Sequence, residues 1–468
     1  MTSSVPQREV AGPVVRRGVA GPFAALLSAV LSFSLMQTMV VPALPDLRSE
    51  FGTTTTAISW VLSAFLLTSS VGTVLIGRLG DMFGKRRLLL LSLAVLAAGT
   101  LLAALSGTIG TLIAARAVQG LGAATFPLAF GLVREVFPRD RVPVAIGVIS
   151  AMFGIGFGVG LVVPGPIVDT LGWQWIFWLS LVMILLAIAL VWVFVRESPV
   201  LSPGRVDWIG AVLLSAGLVA LLLAISEGRS LGWGSAPIIG LFAAAAVLLV
   251  VFVVAESRIA QPMINIGMLR RRAVATANVA ALIIGFGMYG AFTLVPLYVE
   301  TPSEVGYGFG ASVTEAGLFM VPMAVTMLFA GPLAGRLGAR AGFRLTLALA
   351  CVVGAAGFAL FALAHDVAGA IYAGAAVLGV GIGFAFSSLA NLVVAAVEPR
   401  QTGEATGINT IMRTVGGAIG AQIAATVVAS DHLPGTSTPA ESGYTAAFVM
   451  SAIAMGLATL VAFAAPRT

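Results

Sequence analysis

The chain reads as an all-α polytopic membrane protein, with two six-helix bundles that repeat one another and two further helices inserted between them, fourteen transmembrane helices in all. Three observations predict this. Fourteen apolar stretches, each about 19 to 30 residues long, run from Phe23 to Phe463 with short polar breaks, and a bilayer core of about 30 Å needs roughly 20 apolar residues per crossing. Basic residues fall almost wholly in alternate breaks, and two pairs of segments recur at a nearly constant offset. Backbone groups in lipid must be paired within their own segment, so the stretches are helices. Hydrophobic residues make up 59% of the chain and charged residues 9%, against about 25% charged in a soluble domain.

The stretches follow in order. The first spans 22–44 and ends where Pro42 and Pro45 break the run. The polar segment 1–21 before it is expected to be a cytoplasmic tail, with the stretch itself too long for a cleaved signal peptide. The second, 57–79, runs into GRLGDMFGKRR (Gly77–Arg87), and the third, 88–106, starts at once after it. The fourth, 108–133, carries Arg116, Gln119 and Gly120. The fifth, 143–168, contains GVISAMFGIGFGVG, and the sixth, 173–195, opens on WQWIFW. The seventh and eighth, 207–226 and 236–255, are preceded by GRVDWIG (Gly204–Gly210). The ninth and tenth, 273–299 and 314–336, lead into GRLGARAGFR (Gly335–Arg344). The eleventh and twelfth are 345–364 and 367–396. The thirteenth, 404–430, contains GINTIMRTVGGAIG, and 443–464 closes the series. The 55 glycines suit helices that approach closely in lipid.

With the amino terminus inside, 21 of the 25 basic residues lie on the cytoplasmic side, while Arg48 and Arg229 lie outside and Arg116 and Arg413 lie within helices. The 19 acids divide 10 outside to 9 inside. Only the positive charges are biased, as the positive-inside rule requires. The expectation is a multi-pass protein of the cell membrane with both termini cytoplasmic. The net charge of +6 is explained by this placement, so no nucleic-acid partner is expected.

Several chemistries are excluded. The one lysine, Lys85, is followed by Arg86, so no P-loop lysine with its Ser or Thr exists. His365 and His432 have no metal-ligand spacing. The one cysteine, Cys351, rules out an intrachain disulfide framework. No nucleophile–base constellation is present. The chain is expected to be neither an enzyme nor a holder of a cofactor or metal.

The loops Gly77–Arg87 and Gly335–Arg344 lie 258 residues apart, and the glycine-rich segments from Gly147 and Gly407 lie 260 apart. Stretches 1–6 and 9–14 are therefore two halves, and internal repeats with a midplane site between them are a transporter architecture. The division expected is a tail at 1–21, a first bundle at 22–200, an insertion at 201–260 and a second bundle at 273–465. On GRLGDMFGKRR, Arg116-x-x-Gln119-Gly120, WQWIFW, GRVDWIG and MRTVGGAIG, the chain resembles the major facilitator superfamily, in particular its fourteen-helix drug:proton antiporter branch, over almost its whole length. Two positions depart from that branch. Met36 stands where helix 1 usually carries an aspartate. Gly160-Leu161, with Pro164-Gly165-Pro166, replaces the usual Gly-Pro and paired glycines of helix 5.

The resemblance implies that the first loop is a conformational latch holding one half against the other in an outward-open state, through Gly77, Asp81, Gly84, Arg86 and Arg87. The plainer reading of Arg86 and Arg87 is that they only set orientation. The second copy has Ala339 in place of the acid, so the latch should be lopsided. Arg116 lies roughly 12 Å deep at 1.5 Å per residue, and an intramembrane charge commonly marks a pathway. It is read, with Gln119 one turn on, either as a coupling and gating group or as a structural arginine satisfied by carbonyls. Arg413, with Asn409 a turn earlier, is either a polar wall of the substrate cavity or a clamp between helices. Met36, Gln37, Asn278, Tyr289 and Asn391 are further candidates for substrate binding, each with the alternative of bridging two helices. Phe126, Phe153, Phe157, Phe286, Phe292 and Phe384 are candidates for an adaptable apolar pocket. With no buried acid in helix 1, protons are expected to be carried by Asp46 and Glu315 at the outer cavity mouth.

The function expected is secondary active efflux of hydrophobic or amphiphilic drugs by alternating access, coupled to protons, by a monomer whose partners are the small substrate, protons and the lipid bilayer. Two rivals are a dedicated exporter of one metabolite, lipid or self-made antibiotic, and a non-transporting membrane receptor or assembly subunit. Two intramembrane arginines and no carboxylate at that depth point to neutral, zwitterionic or weakly anionic substrates.

Overall fold

A computed structural model describes residues 18–202, 206–259, 262–433, 436 and 438–466. The tail to residue 17, Gly204 and Arg205 of the motif before the seventh stretch, and the last two residues lie outside the described part. Among the described residues no β-strand is present beyond a single bridge between His432 and Pro439.

Fourteen helices are long and apolar enough to cross a membrane. The first half holds α1 (Ala20–Thr38), α2 (Thr56–Phe83), α3 (Lys85–Ala104), α4 (Ile109–Val136), α5 (Val142–Leu171) and α6 (Gln174–Phe194). The inserted pair is α7 (Trp208–Leu231) and α8 (Ala236–Glu256). The second half holds α9 (Arg272–Glu300), α10 (Val313–Ala341), α11 (Phe343–Ala364), α12 (Ala368–Ala396), α13 (Pro399–Val428) and α14 (Glu441–Ala464). The fourteen-helix expectation holds. Two of the three long helices of the first half are broken where proline enters. α4 unwinds between Leu121 and Thr125, just ahead of Pro127, and α5 breaks at Val163 before Pro164; proline lacks the N–H and crowds the preceding turn.

The repeat is visible in packing. α1 lies on α5 and α6 as α9 lies on α13 and α14, and α3 lies on α4 and α6 as α11 lies on α12 and α14. The halves meet along two seams, α5 with α10 and α2 with α13. Each tight loop at the end of α2 and α10 turns on a left-handed glycine, Gly84 at φ 111° and Gly342 at φ 89°, a conformation that costs glycine least. These two glycines are again 258 residues apart.

The loops that carry most basic residues gather at one end, where hydrogen bonds tie Arg78, Asp81, Asn265 and Glu404 together, Arg134 to Thr402, and Glu197 to the Arg86 amide. At the opposite end Tyr298, His365 and Glu441 are joined in the same way. α7 packs on α2 and α13, whereas α8 rests on α7 and presents Ile239, Val247, Val250 and Val254 outward, a surface suited to lipid.

Helices gain no hydrophobic drive for association in lipid, so close van der Waals fit and small residues hold them. The α5–α10 seam shows this. A Cβ built on Gly147 would collide with the Gly331 carbonyl, and one on Gly331 with the Gly147 carbonyl. Farther along, Gly154 meets Met327, Gly158 meets Ala324, and Gly317 meets Leu161. Gly331→Leu should therefore force the halves apart and cost about 1–3 kcal/mol by overpacking. A lower melting temperature in detergent is expected, with Gly456→Ala unchanged because nothing lies within 4 Å of a Cβ there; equal melting of the two variants contradicts the seam.

Candidate functional site

At the basic end the halves are joined by a polar contact, a candidate gate. The Asp81 carboxylate, at the end of α2, accepts a hydrogen bond from the Glu404 amide at 3.0 Å, in the first turn of α13, where amides lack helical partners and the dipole favours an anion. Glu404 in turn pairs with Arg78 of α2 at 3.4 Å and accepts the Asn265 amide at 2.7 Å. Arg134, at the end of α4, donates to the Thr402 hydroxyl and the Val397 carbonyl, each at 3.0 Å. The close approach rests on glycine, since a Cβ on Gly77 would stand 2.8 Å from the Gly403 carbonyl. Lys85 is wholly buried and bridges Asp81 at 3.3 Å and Glu135 at 2.9 Å, which holds the carboxylate in place.

The pseudo-equivalent contact in the other seam has no acid. Gly335 meets Pro143 there, with Val144, the counterpart of Glu404, beside it. Ala339, in the place of Asp81, offers no side-chain acceptor across that seam. At that corner Asn391 Nδ2 donates to the Pro143 carbonyl at 3.2 Å.

Between the halves lie two small adjoining cavities of about 40 Å³ and 20 Å³ that share Phe126, Thr410 and Arg413. Gln37 and Tyr289 line the first and Asn409 the second. The volumes suit a few waters rather than a drug-sized ligand, so the site is nearly shut. The Arg413 guanidinium lies 4.2 Å from the Phe386 ring centre and 5.8 Å from that of Phe153. No ion pair among the described residues includes Arg413 or Arg116.

Arg116 is fully buried inside the first half. Its Nε donates to the Val61 carbonyl at 3.1 Å, and Nη1 donates to Gln119 Oε1 at 2.7 Å and to the Met36 sulfur at 3.3 Å. Gln119 passes the chain on to the Thr100 hydroxyl at 2.9 Å, and Phe65 lies 4.4 Å beneath the guanidinium. Nη2 has no partner among the described residues. Met36 thus touches Arg116 rather than the cavity.

The structure brings Gln37, Tyr289, Asn409 and Arg413 to one cavity. Asn278 stands behind, accepting from Asn409 at 3.0 Å, and Asn391 lies at the other seam, where it bonds the Pro143 carbonyl. Arg86 and Arg87 stay within the first half, where Glu197 accepts both of their amides at 3.1 Å and Arg86 reaches the Trp192 carbonyl; their side chains do not cross the seam. Asp46 is on the outer surface in the short helix Leu44–Glu50, and Glu315 caps α10 through Ser312. Neither lines the cavity. Of the aromatic candidates, Phe126 and Phe153 line it, and Phe157 stacks on Phe292 across the halves at 3.7 Å. Phe33, Phe65 and Phe386 belong to the lining in place of Phe286 and Phe384. Sequence reasoning missed Glu404 and Arg134. Glu404 had a signal, an acid in the first turn of a helix, at the position where the repeat has Val144.

The family model for the Major Facilitator Superfamily matches residues 26–421, and again residues 301–468. The chain belongs to the Major Facilitator Superfamily. An uncharacterized MFS-type transporter of Mycobacterium tuberculosis is 34% identical over 417 residues, which are 87% of this chain. The chain spans 58% of that relative's length. Multidrug resistance protein 3 of Bacillus subtilis is 28% identical over 406 residues, 86% of this chain and 78% of that protein. The human organic anion transporter MFSD10 (TETRAN) has the same fold, with a TM-score of 0.68 over 96% of this chain and 100% of that one, at 18% identity. Superfamily members are generally not enzymes.

In a superfamily fold closed at one end by such a gate, loss of the Asp81 charge should leave insertion intact and loosen the closure. A hydrogen bond to a charged group contributes about 1.5–3 kcal/mol, so in an Asp81→Asn background a thiol at Ser150→Cys, which lines the shut cavity, should react roughly tenfold faster with a maleimide added at the basic end. An unchanged labelling rate at equal membrane abundance removes Asp81 from the gate.

Proposed function

We propose that the chain is a secondary transporter that exports small amphiphilic compounds through the cell membrane by alternating access, with its basic end in the cytoplasm. The observation that carries this reading is a cavity at the junction of the two halves, lined from both, sealed at the basic end by the Asp81–Glu404 contact and holding an unpaired arginine. The positive-inside bias supports the orientation. One chain contains the complete cavity, which supports action as a monomer.

Arg413 sets the substrate chemistry. A charge in a low-dielectric site without a partner is costly, and no carboxylate lines either cavity. A weakly anionic or dipolar amphiphile supplies the missing charge, its apolar part meeting Phe126, Phe153 and Phe386. A dication is the poorest fit. Exchange for protons enters this reading through the family resemblance. The carboxylates available for it stand at the two ends, Asp81 and Glu404 in the gate and Asp46 and Glu315 at the outer surface, and none of them faces Arg413.

Expression in a host lacking its own efflux pumps, challenged with cationic, neutral and anionic toxic compounds, tests transport itself; protection against none of them overturns the proposal. In inside-out vesicles Arg413→Ala should slow uptake of an anionic dye about tenfold or more, the loss expected for one charge-assisted hydrogen bond, and slow uptake of a neutral compound far less. Strong transport of a dication that is indifferent to Arg413→Ala contradicts the role given to this residue.

A further inference from the structure

The inserted pair is not mere padding around the bundle. α7 sends Leu222, Ile225 and Ser226 against α2 and α13 on the side opposite the gate, and there they close a chamber of about 290 Å³. Ser226 and Ser63 of α2 share a hydrogen bond at 3.0 Å in its wall. The chamber is several times larger than the cavity around Arg413 and reaches the lower range of known ligand sites, about 300 Å³.

The two spaces touch. Tyr289 lines both, together with Leu66 and Thr414. The tyrosine ring lies against Gly417 of α13, where any Cβ would strike it, so it forms a flat partition between them. The lining of the chamber differs in kind from that of the central cavity. It contains no charged side chain, and its polar groups are hydroxyls and one amide, including Ser59, Ser63, Ser226 and Gln422, set among apolar side chains. Such a surface offers hydrogen bonds in both directions and compensates no charge.

We propose that this chamber is a second substrate site, built by the inserted helix α7, which binds uncharged amphiphiles bearing hydroxyl, amide or carbonyl groups. The inference rests on the transport reading above and adds to it. Anionic compounds take the Arg413 site, and uncharged ones take the chamber beyond Tyr289. The breadth of substrates accepted is then set by residues of α7 that belong to neither repeated half.

Equilibrium binding to the purified full chain decides this, with chloramphenicol as the uncharged probe and fluorescein as the anionic one. Ile225→Trp fills the chamber and should weaken chloramphenicol about tenfold, leaving fluorescein within about twofold. Arg413→Ala should do the reverse. A second route avoids any effect on folding. Cys351 is fully buried, so a Ser226→Cys protein can be purified and then alkylated with N-ethylmaleimide, which plugs the chamber after the fold is made; the same selective loss is expected. Equal weakening of both probes, or chloramphenicol binding untouched by the plug, overturns the second site. Wild-type protein that binds fluorescein alone also overturns it, while leaving the transport reading standing. Wild-type protein that binds neither probe overturns both.

Discussion

Contact between backbones governs this molecule. Lipid offers helices no hydrophobic reward for meeting one another, so the halves hold together only as far as their surfaces fit. At Gly147 with Gly331, and at Gly77 with Gly403, a carbonyl of one half occupies the space where a side chain of the other would stand. The polar gate depends on that proximity. Asp81 reaches the Glu404 amide at 3.0 Å because nothing larger than hydrogen separates α2 from α13 one turn earlier. Larger residues at these glycines would leave the carboxylate and the amide both present and out of reach.

The two seams are related by the internal repeat, yet they do different work. The α5–α10 seam is apolar and continuous, with close contacts from Pro143 and Gly335 at the basic end to Leu161 and Gly317 far along the helices. The α2–α13 seam is tight only toward the basic end. Beyond Thr73 and Gly407 the helices part, and the space is taken by the chamber and by α7. In the proposed transport cycle the long greasy contact would serve as the hinge and the short polar contact as the gate. The chemical difference is small. Pro143 and Val144 stand where the other seam has Gly403 and Glu404, and Ala339 stands where it has Asp81.

Helix number, the two halves and the loop at Asp81 were legible in the sequence, because each rests on a local pattern: a run of apolar residues, a fixed offset, a glycine before a charge. The site was legible only in outline. Arg413, Asn409, Gln37 and Tyr289 could be singled out as polar residues at depth, and they do converge. Which aromatics would join them could not be read, since the facing of Phe386 rather than Phe384 follows from the rotation of α12 against α5. Arg86 and Arg87 share a motif with Asp81 yet turn away from the seam, as a left-handed Gly84 sets α3 off in a new direction. Glu404 was overlooked because its role comes from a neighbour 323 residues away.

The two intramembrane arginines show how charge is managed without acids. Arg116 is surrounded by fixed partners: a carbonyl, an amide oxygen, a sulfur and the face of Phe65. From that face a series of rings, Phe33, Phe126, Phe153 and Phe386, continues at centroid spacings of 6.3, 6.1, 6.1 and 5.3 Å. It ends at Arg413, 4.2 Å over Phe386. Both guanidiniums therefore rest on the negative faces of aromatic rings, an interaction that grows as water is excluded. The difference lies in what completes each shell. Arg116 has hydrogen-bond acceptors from its own half at Nε and Nη1, and Met36 where a carboxylate would have given a full ion pair; Nη2 alone is left over, and the residue lines neither central cavity. Arg413 has rings and a nearly shut cavity, and in the proposed transport reading its last partner is a bound substrate. A buried charge left one partner short is an unstable arrangement in a static fold. On the proposed reading of alternating access, the same shortage is what makes a bound anion worth carrying.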